Sequence, residues 1–195
     1  MEQSLTPEES MKLIERMIGQ ARRSFSRMSF YFLLWGFLLI AAMVVSYLLR
    51  DTTTGWQHGS AWGVAGISGG LISAVHGARQ GRKELVSNPM DGIIGWLWSA
   101  FVITMILLIA FSVRAQVDPT IAITMLTGLP TFLTGQAMRF RPLQVGGILF
   151  WVAGVLMLFL PGPLSVLVIY CTAMVLGYIV PGILLKRVED GLRTA

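Results

Sequence analysis

Six long apolar segments, none of which contains Asp, Glu, Lys or Arg, account for most of this chain of 195 residues. A helix of roughly 20 apolar residues crosses the hydrocarbon core of a bilayer. Charged residues make up 13% of the chain, about half their share in a soluble domain. The sequence therefore predicts an all-α fold, a polytopic membrane helix bundle whose six-helix transmembrane domain covers residues 29–187. The predicted transmembrane helices are 29–49, 61–77, 92–113, 121–138, 143–160 and 164–185.

Basic residues are concentrated on alternate connections between these segments. Thirteen of the fifteen Lys and Arg residues precede the first segment, follow the last, or lie in the second and fourth connections, whereas the other connections hold only Arg50 and Arg114. Because Lys and Arg are retained on the cytoplasmic side, both ends of the chain are expected in the cytoplasm, with residues 188–195 as a tail. The net charge of +5 then faces the anionic headgroups of the lipid bilayer, so that no nucleic acid is needed to explain it.

The segment before the first span has the pattern of an amphipathic helix over residues 6–27. Thr6 is suited to the N-cap position, Pro7 to the first helical position, and Glu9 completes a capping box. Residues 1–28 are therefore predicted to lie at the cytoplasmic membrane surface and to lead into the first span. Docking to a partner protein is the alternative. The apolar positions at helical spacing are Met11, Ile14, Ile18, Ala21 and Phe25.

Two lines of small or hydroxyl-bearing residues run along predicted spans at intervals of three and four positions. In the second span, a Gly ridge would let another helix backbone approach closely, and it consists of Gly63, Gly66, Gly70, Ser73 and Gly77. In the fourth span, a Thr stripe aligns five hydroxyl groups, those of Thr120, Thr124, Thr127, Thr131 and Thr134. Pro130 interrupts the Thr stripe and frees the carbonyl of Leu126 from its helical hydrogen bond.

The Thr stripe allows two interpretations. It is a polar path for water, an ion or a small neutral solute, or its hydroxyls bond to carbonyls of the preceding turn and pack against a neighbouring helix. Because Thr and Gly are common at helix contacts in lipid, packing is preferred for both the Thr stripe and the Gly ridge. The interpretations differ in whether the stripe faces a water-filled cavity or a packed helix.

Single polar residues inside the spans are weaker candidates. His76 is close enough to the cytoplasmic end of the second span to be interfacial, which is preferred over a functional role. Trp151 and Tyr170 lie deeper, and each carries a polar atom that needs a partner. Cys171 is the single cysteine, which excludes both an intrachain disulfide and a cysteine metal cluster.

Aromatic and helix-breaking residues near span ends have simpler expected roles. Pro181 and Gly182 mark either a hinge in the last span or its end. Residues of the two aromatic belts at the membrane surfaces are predicted to be Tyr31, Tyr47, Trp62, Trp96 and Trp98.

No catalytic, cofactor-binding or metal-binding signature is present in the sequence. All acidic residues lie outside the six segments, which makes a lipid-modifying enzyme the least favoured class and disfavours transport through buried carboxylates. The preferred function is a non-enzymatic membrane protein that acts through helix contacts as a regulator, scaffold or complex subunit, with a membrane protein partner or a second copy. A small channel or facilitator for an ion or uncharged solute, lined by the Thr stripe, is the alternative.

Both ends of the chain resemble an uncharacterised family of small six-span bacterial inner-membrane proteins. The runs that carry the resemblance are ESMKLIE at 9–15, MI at 17–18, YFLLWG at 31–36 and GYIVPG at 177–182. The resemblance implies a location in the bacterial cytoplasmic membrane. It implies no known activity, cofactor or site residue.

Overall fold

The computed structural model describes residues 28–51, 57–81 and 89–193, and within these ranges the chain is helical and contains no strand. The amphipathic helix expected at 6–27 lies outside the described residues. A short π-helical turn, Val175–Ile179, joins the last two α-helices without a break. The helices are α1 Met28–Leu49, α2 Gln57–Gly81, α3 Pro89–Ala115, α4 Thr120–Ala137, α5 Arg141–Phe159, α6 Pro163–Met174 and α7 Val180–Arg193.

Within the described ranges, four helical segments are long and apolar enough to cross a membrane, namely α1, residues 92–115 of α3, α5, and residues 163–191, which contain α6 and most of α7. The helices α2 and α4 do not reach that composition. These two helices are less apolar than the others because α2 is rich in Gly and Ser and α4 carries the Thr stripe.

The last helix differs from its prediction. Helical structure continues through Pro181 and Gly182 to Arg193, so the interpretation of this pair as the end of the helix is wrong. Proline cannot donate the amide hydrogen bond of an α-helix and its ring collides with the carbonyl four residues earlier. The wider π turn directly before Pro181 relieves that collision, so the helix continues.

Two pairs of sequence neighbours, α1 with α2 and α4 with α5, pack side by side in opposite directions. A methyl group placed on Gly69 of α2 would lie 2.9 Å from the Trp35 ring of α1. Likewise a methyl group on Gly135, near the end of α4, would lie 2.6 Å from the backbone nitrogen of Gln144, near the start of α5. Between these helices, Arg139 adopts a φ of 51°, a left-handed conformation that ends α4 and turns the chain back.

The first and last helices meet at one end of the bundle. The carboxylate of Glu189 in α7 accepts hydrogen bonds from the backbone amide and the hydroxyl of Ser29, at 3.2 Å and 2.6 Å. Ser29 is in the first turn of α1, where backbone amides lack helical partners and favour a negative charge. The start of α1 and the end of α7 are therefore held together.

The tightest helix pair is α4 with α5. Each helix carries two glycines seven residues apart on the contact surface, Gly128 and Gly135 on α4 and Gly147 and Gly154 on α5. A methyl group on Gly147 would lie 2.6 Å from the backbone nitrogen of Phe132. Such close backbone approach increases dispersion contacts between helices, which is the main attraction available inside a membrane.

Candidate functional site

The Thr stripe of α4 is buried inside the bundle. Thr124, Thr131 and Thr134 are 0% exposed and Thr127 is 3% exposed. The hydroxyls of Thr124, Thr127 and Thr131 each donate to the carbonyl four residues earlier, at 2.7 Å in every case. These three hydroxyls are thus satisfied within their own helix, in the way that threonine commonly is in an apolar environment.

Thr134 is bonded to another helix instead. The indole Nε1 of Trp98 in α3 donates to the Thr134 hydroxyl at 3.1 Å. Trp98 also makes edge-to-face contacts with Phe32 and Phe101, with ring centroids 6.1 Å and 5.5 Å apart. The indole nitrogen of Trp98, a predicted belt residue, thus has its hydrogen-bond partner inside the protein.

Tyr178 closes the stripe on a third side. It lies in the π turn, is 2% exposed, and its side chain is joined to that of Thr131 by a hydrogen-bonding interaction. Its ring meets those of Phe32 and Phe150 edge to face, with centroids 5.4 Å and 5.1 Å apart. Aromatic rings from α1, α5 and the π turn therefore cover the central part of the stripe.

Thr120 does not continue this buried line. Its hydroxyl and its backbone amide both bond to Oδ1 of Asp118, at 2.6 Å and 2.8 Å, and Asp118 is exposed. Thr120 therefore helps to start α4, and the structure brings only four of the five threonines together in the core.

The Gly ridge of α2 faces away from the rest of the described chain. Gly63, Gly66 and Gly70 are exposed, and a methyl group on any of them would meet no described atom within 4 Å. Gly77 is different, because a methyl group there would lie 3.3 Å from the Tyr31 hydroxyl. The Ser73 hydroxyl is buried and has no hydrogen-bond partner in the described part of the chain.

The face of α2 that packs against α1 is turned away from the ridge. It includes Ala65, which is 5% exposed, and Gly69, which contacts Trp35 and Leu38. A side chain advances by about 100° per residue around a helix. The three exposed glycines are therefore directed to one side of the α1 contact.

His76 packs against the start of α1. Its ring stacks on that of Phe30 with centroids 4.0 Å apart and lies edge-on to Tyr31 at 5.7 Å. It is half-buried between these aromatic rings. Cys171 is a half-buried free thiol. Among the described residues, no group of three or more His, Cys, Asp or Glu side chains is placed to hold a metal ion.

The glycines that make the α4–α5 contact were missed by sequence reasoning. Their signal is present in the sequence as matched seven-residue spacings, from Gly128 to Gly135 and from Gly147 to Gly154. In the Gly ridge of α2, small residues recur every three or four positions, which is a stronger sequence pattern. Density of small residues indicates a surface that can be approached closely, but not whether the approaching helix is in the same chain.

No protein-family model, no curated protein and no solved structure matches this chain.

Proposed function

We propose that this protein is a six-span integral protein of the bacterial cytoplasmic membrane. It acts without catalysis, as a regulator, scaffold or complex subunit, through contacts between its helices and those of a partner protein or a second copy. The observation that carries this proposal is the exposed Gly ridge of α2. A bare backbone surface formed by Gly63, Gly66 and Gly70 gives another helix more contact than it gives to mobile lipid chains.

Six spans are supported by how α2 and α4 lie in the bundle. They have 25 and 18 residues, so that at 1.5 Å per residue both are long enough to cross most of a bilayer. Each lies antiparallel to a more apolar helix, α2 along α1 and α4 along α5. If α1 and α5 cross the membrane, α2 and α4 cross with them.

A cytoplasmic position for both ends is supported by the distribution of charge. The end of the bundle where Ser29 meets Glu189 carries most of the described basic residues. Arg50 and Arg114 follow or end helices at the opposite end, and Arg50 is paired there with Asp51 at 3.1 Å. Anionic headgroups of the cytoplasmic leaflet are the proposed lipid partner of Arg79, Arg139, Arg141, Lys186 and Arg187.

The alternative function, a channel lined by the Thr stripe, has less support. A path for an ion or solute needs polar atoms that are free to replace water around it. The hydroxyls of Thr124, Thr127 and Thr131 are already bonded to their own helix. These three residues are also at most 3% exposed.

The test is crosslinking in native membranes with the Gly66→Leu/Gly70→Leu variant. A Cβ atom at either position meets no described atom within 4 Å, so the fold should survive while close approach of another helix is blocked. We expect the crosslinked species of the unaltered protein to be lost and the thermal stability of the detergent-purified chain to be unchanged.

A matched control is Gly95→Leu on α3, because Gly95 is also exposed with open space before it but is outside the ridge. It should retain the crosslinked species. The proposal is overturned if the ridge variant crosslinks as the unaltered protein does, or if the control loses the species equally.

A further inference from the structure

The π turn in the last helix contains one residue more than an α-helical turn. The amide of Val180 donates to the carbonyl of Val175, five residues earlier, whereas an α-helix closes over four. Isolated π turns inside α-helices are rare and recur at functional sites. Each residue after this turn is therefore displaced by one position around the helix relative to an uninterrupted α-helix.

Contacts on both sides of the π turn fit this displaced register. Pro181 is fully buried and cannot bond to the Gly177 carbonyl. A methyl group on Gly146 of α5 would lie 2.7 Å from that Gly177 oxygen, so the freed carbonyl is covered by the Cα of Gly146. A contact of this kind between a carbonyl and a Cα–H group is weakly favourable.

The same register decides which side chains of α7 face α1. A methyl group on Gly182 would lie 3.1 Å from the Leu33 side chain. Leu185 is 0% exposed, and Glu189 bonds to Ser29. In an uninterrupted α-helix the position of Glu189 would be taken by Val188, which is 43% exposed in the structure.

We propose that the π turn is a register switch for α7. When the turn closes as an α-turn, α7 rotates about its axis by about 100°, Glu189 leaves Ser29, and Leu185 turns out of the core. The two hydrogen bonds to Glu189 and the relief of the collision between the Pro181 ring and the Gly177 carbonyl both favour the π register. This switch is a property of the last helix and does not depend on the function proposed above.

Two features make α7 suited to such a rotation. Its apolar positions are only partly covered, since Ile183 and Leu184 are 42% and 36% exposed. Its two registers differ in a few backbone hydrogen bonds of the π turn, among them that of the Val180 amide, which moves from the carbonyl of Val175 to that of Leu176. Closure as an α-turn has to displace the buried ring of Tyr178, which is 2% exposed, whereas Val175 and Leu176 are exposed and can move freely.

The switch is tested with a single reporter cysteine, Leu185→Cys in a Cys171→Ala background, in the full chain reconstituted in lipid. A water-soluble maleimide reacts with this thiol only when Leu185 leaves the core, so the labelling rate measures the rotated population. Loss of the hydrogen bonds to Glu189 in Glu189→Ala should raise that rate about tenfold. Ser29→Ala removes only the hydroxyl donor and should give a smaller rise.

The deciding variant combines Glu189→Ala with deletion of Leu176. The deletion removes the extra residue of the π turn, so that an ordinary α-helix now holds Leu185 in its buried position. The labelling rate should return to that of the parent. Deletion of Val175 removes the same extra residue and serves as a second version. Deletion of Arg187, another exposed residue of the last helix, lies beyond the reporter and should not restore the rate.

Each outcome bears on the proposal. A raised rate that either π-turn deletion restores supports the switch. An unchanged rate in both Glu189→Ala and Ser29→Ala overturns it. A raised rate that neither π-turn deletion restores also overturns it, because Glu189 then only prevents local unfolding. If neither deletion variant folds, the switch is also overturned, because the π turn would then contain no residue that can be removed while the fold is kept.

Discussion

The Trp98 indole donates a hydrogen bond of 3.1 Å to the Thr134 hydroxyl, and this contact ties α3 to the core of the bundle. Most of α3 is covered by no other described helix, and its large side chains Ile103, Ile106 and Leu107 are 57–64% exposed. The position of α3 therefore depends on a short stretch around Trp98 and on Ile94, which is 4% exposed.

We expect Trp98→Phe to lower the free energy of unfolding by about 1 kcal/mol, because one interhelical hydrogen bond is lost and the Thr134 hydroxyl is left without its donor. Thermal unfolding in detergent measures the change. Trp96→Phe is the matched control, since Trp96 is 79% exposed and its loss should matter much less. Equal effects of both substitutions would contradict the role of the hydrogen bond.

Gly147→Ala should destabilise the chain by roughly 1–3 kcal/mol, the usual effect of overfilling a packed core. The added methyl group would lie 2.6 Å from the Phe132 backbone nitrogen, and a backbone cannot move aside as a side chain can. The comparison is Gly70→Ala, where nothing described lies within 4 Å and unfolding should change by less than about 0.5 kcal/mol. Detergent unfolding that showed Gly70→Ala to be the more harmful of the two would refute this assignment of contact surfaces.

The order and approximate bounds of the helices follow from the sequence, because a bilayer-length apolar run has few other uses. The predicted span 121–138 compares with the observed α4 Thr120–Ala137, and 143–160 with α5 Arg141–Phe159. The ends shift because helix termini are decided by single residues, such as Arg139 in its left-handed conformation, which hydropathy does not register.

Which surfaces meet could not be predicted as well. The regular spacing of the Thr stripe places four threonines on one buried line, but Trp98 is 36 residues from its partner Thr134, and Tyr178 is 47 residues from Thr131. Likewise, Ser29 and Glu189 are separated by 160 positions. Such pairings depend on the arrangement of whole helices, and one sequence without tertiary contacts does not specify it.

The π turn shows how a local signal can be recognised and still be misinterpreted. Pro181 indicates an interruption of α-helical hydrogen bonding, and the interruption occurs. The helix widens instead of ending, and Gly146 covers the Gly177 carbonyl there, since a methyl group on Gly146 would lie 2.7 Å from that oxygen. That cover comes from α5, outside the local sequence.

Alkaline phosphatase fusions test the proposed topology. A fusion after Ala195 should be inactive and one within residues 52–57 should be active, because the enzyme works only outside the cytoplasm and the Lys and Arg residues favour cytoplasmic ends. A fusion within residues 82–88, in the second connection, should be inactive and serves as an internal control. Activity after Ala195 with none at 52–57 would reverse the orientation, and activity at all sites would contradict six spans.

The double substitution Thr127→Val/Thr131→Val tests the Thr stripe. It keeps side-chain volume but removes two hydroxyls bonded to their own helix, one of which also contacts Tyr178. We expect a loss of at most about 1 kcal/mol in the free energy of unfolding, because threonine bonds to the carbonyl four residues earlier add little to helix stability, and no change in solute flux into liposomes. Thr104→Val is the control, because its hydroxyl makes the same type of bond, at 2.8 Å to Ala100, on the exposed face of α3. A clear flux through the unaltered protein that disappears in a well-folded double variant would replace the packing interpretation with a channel.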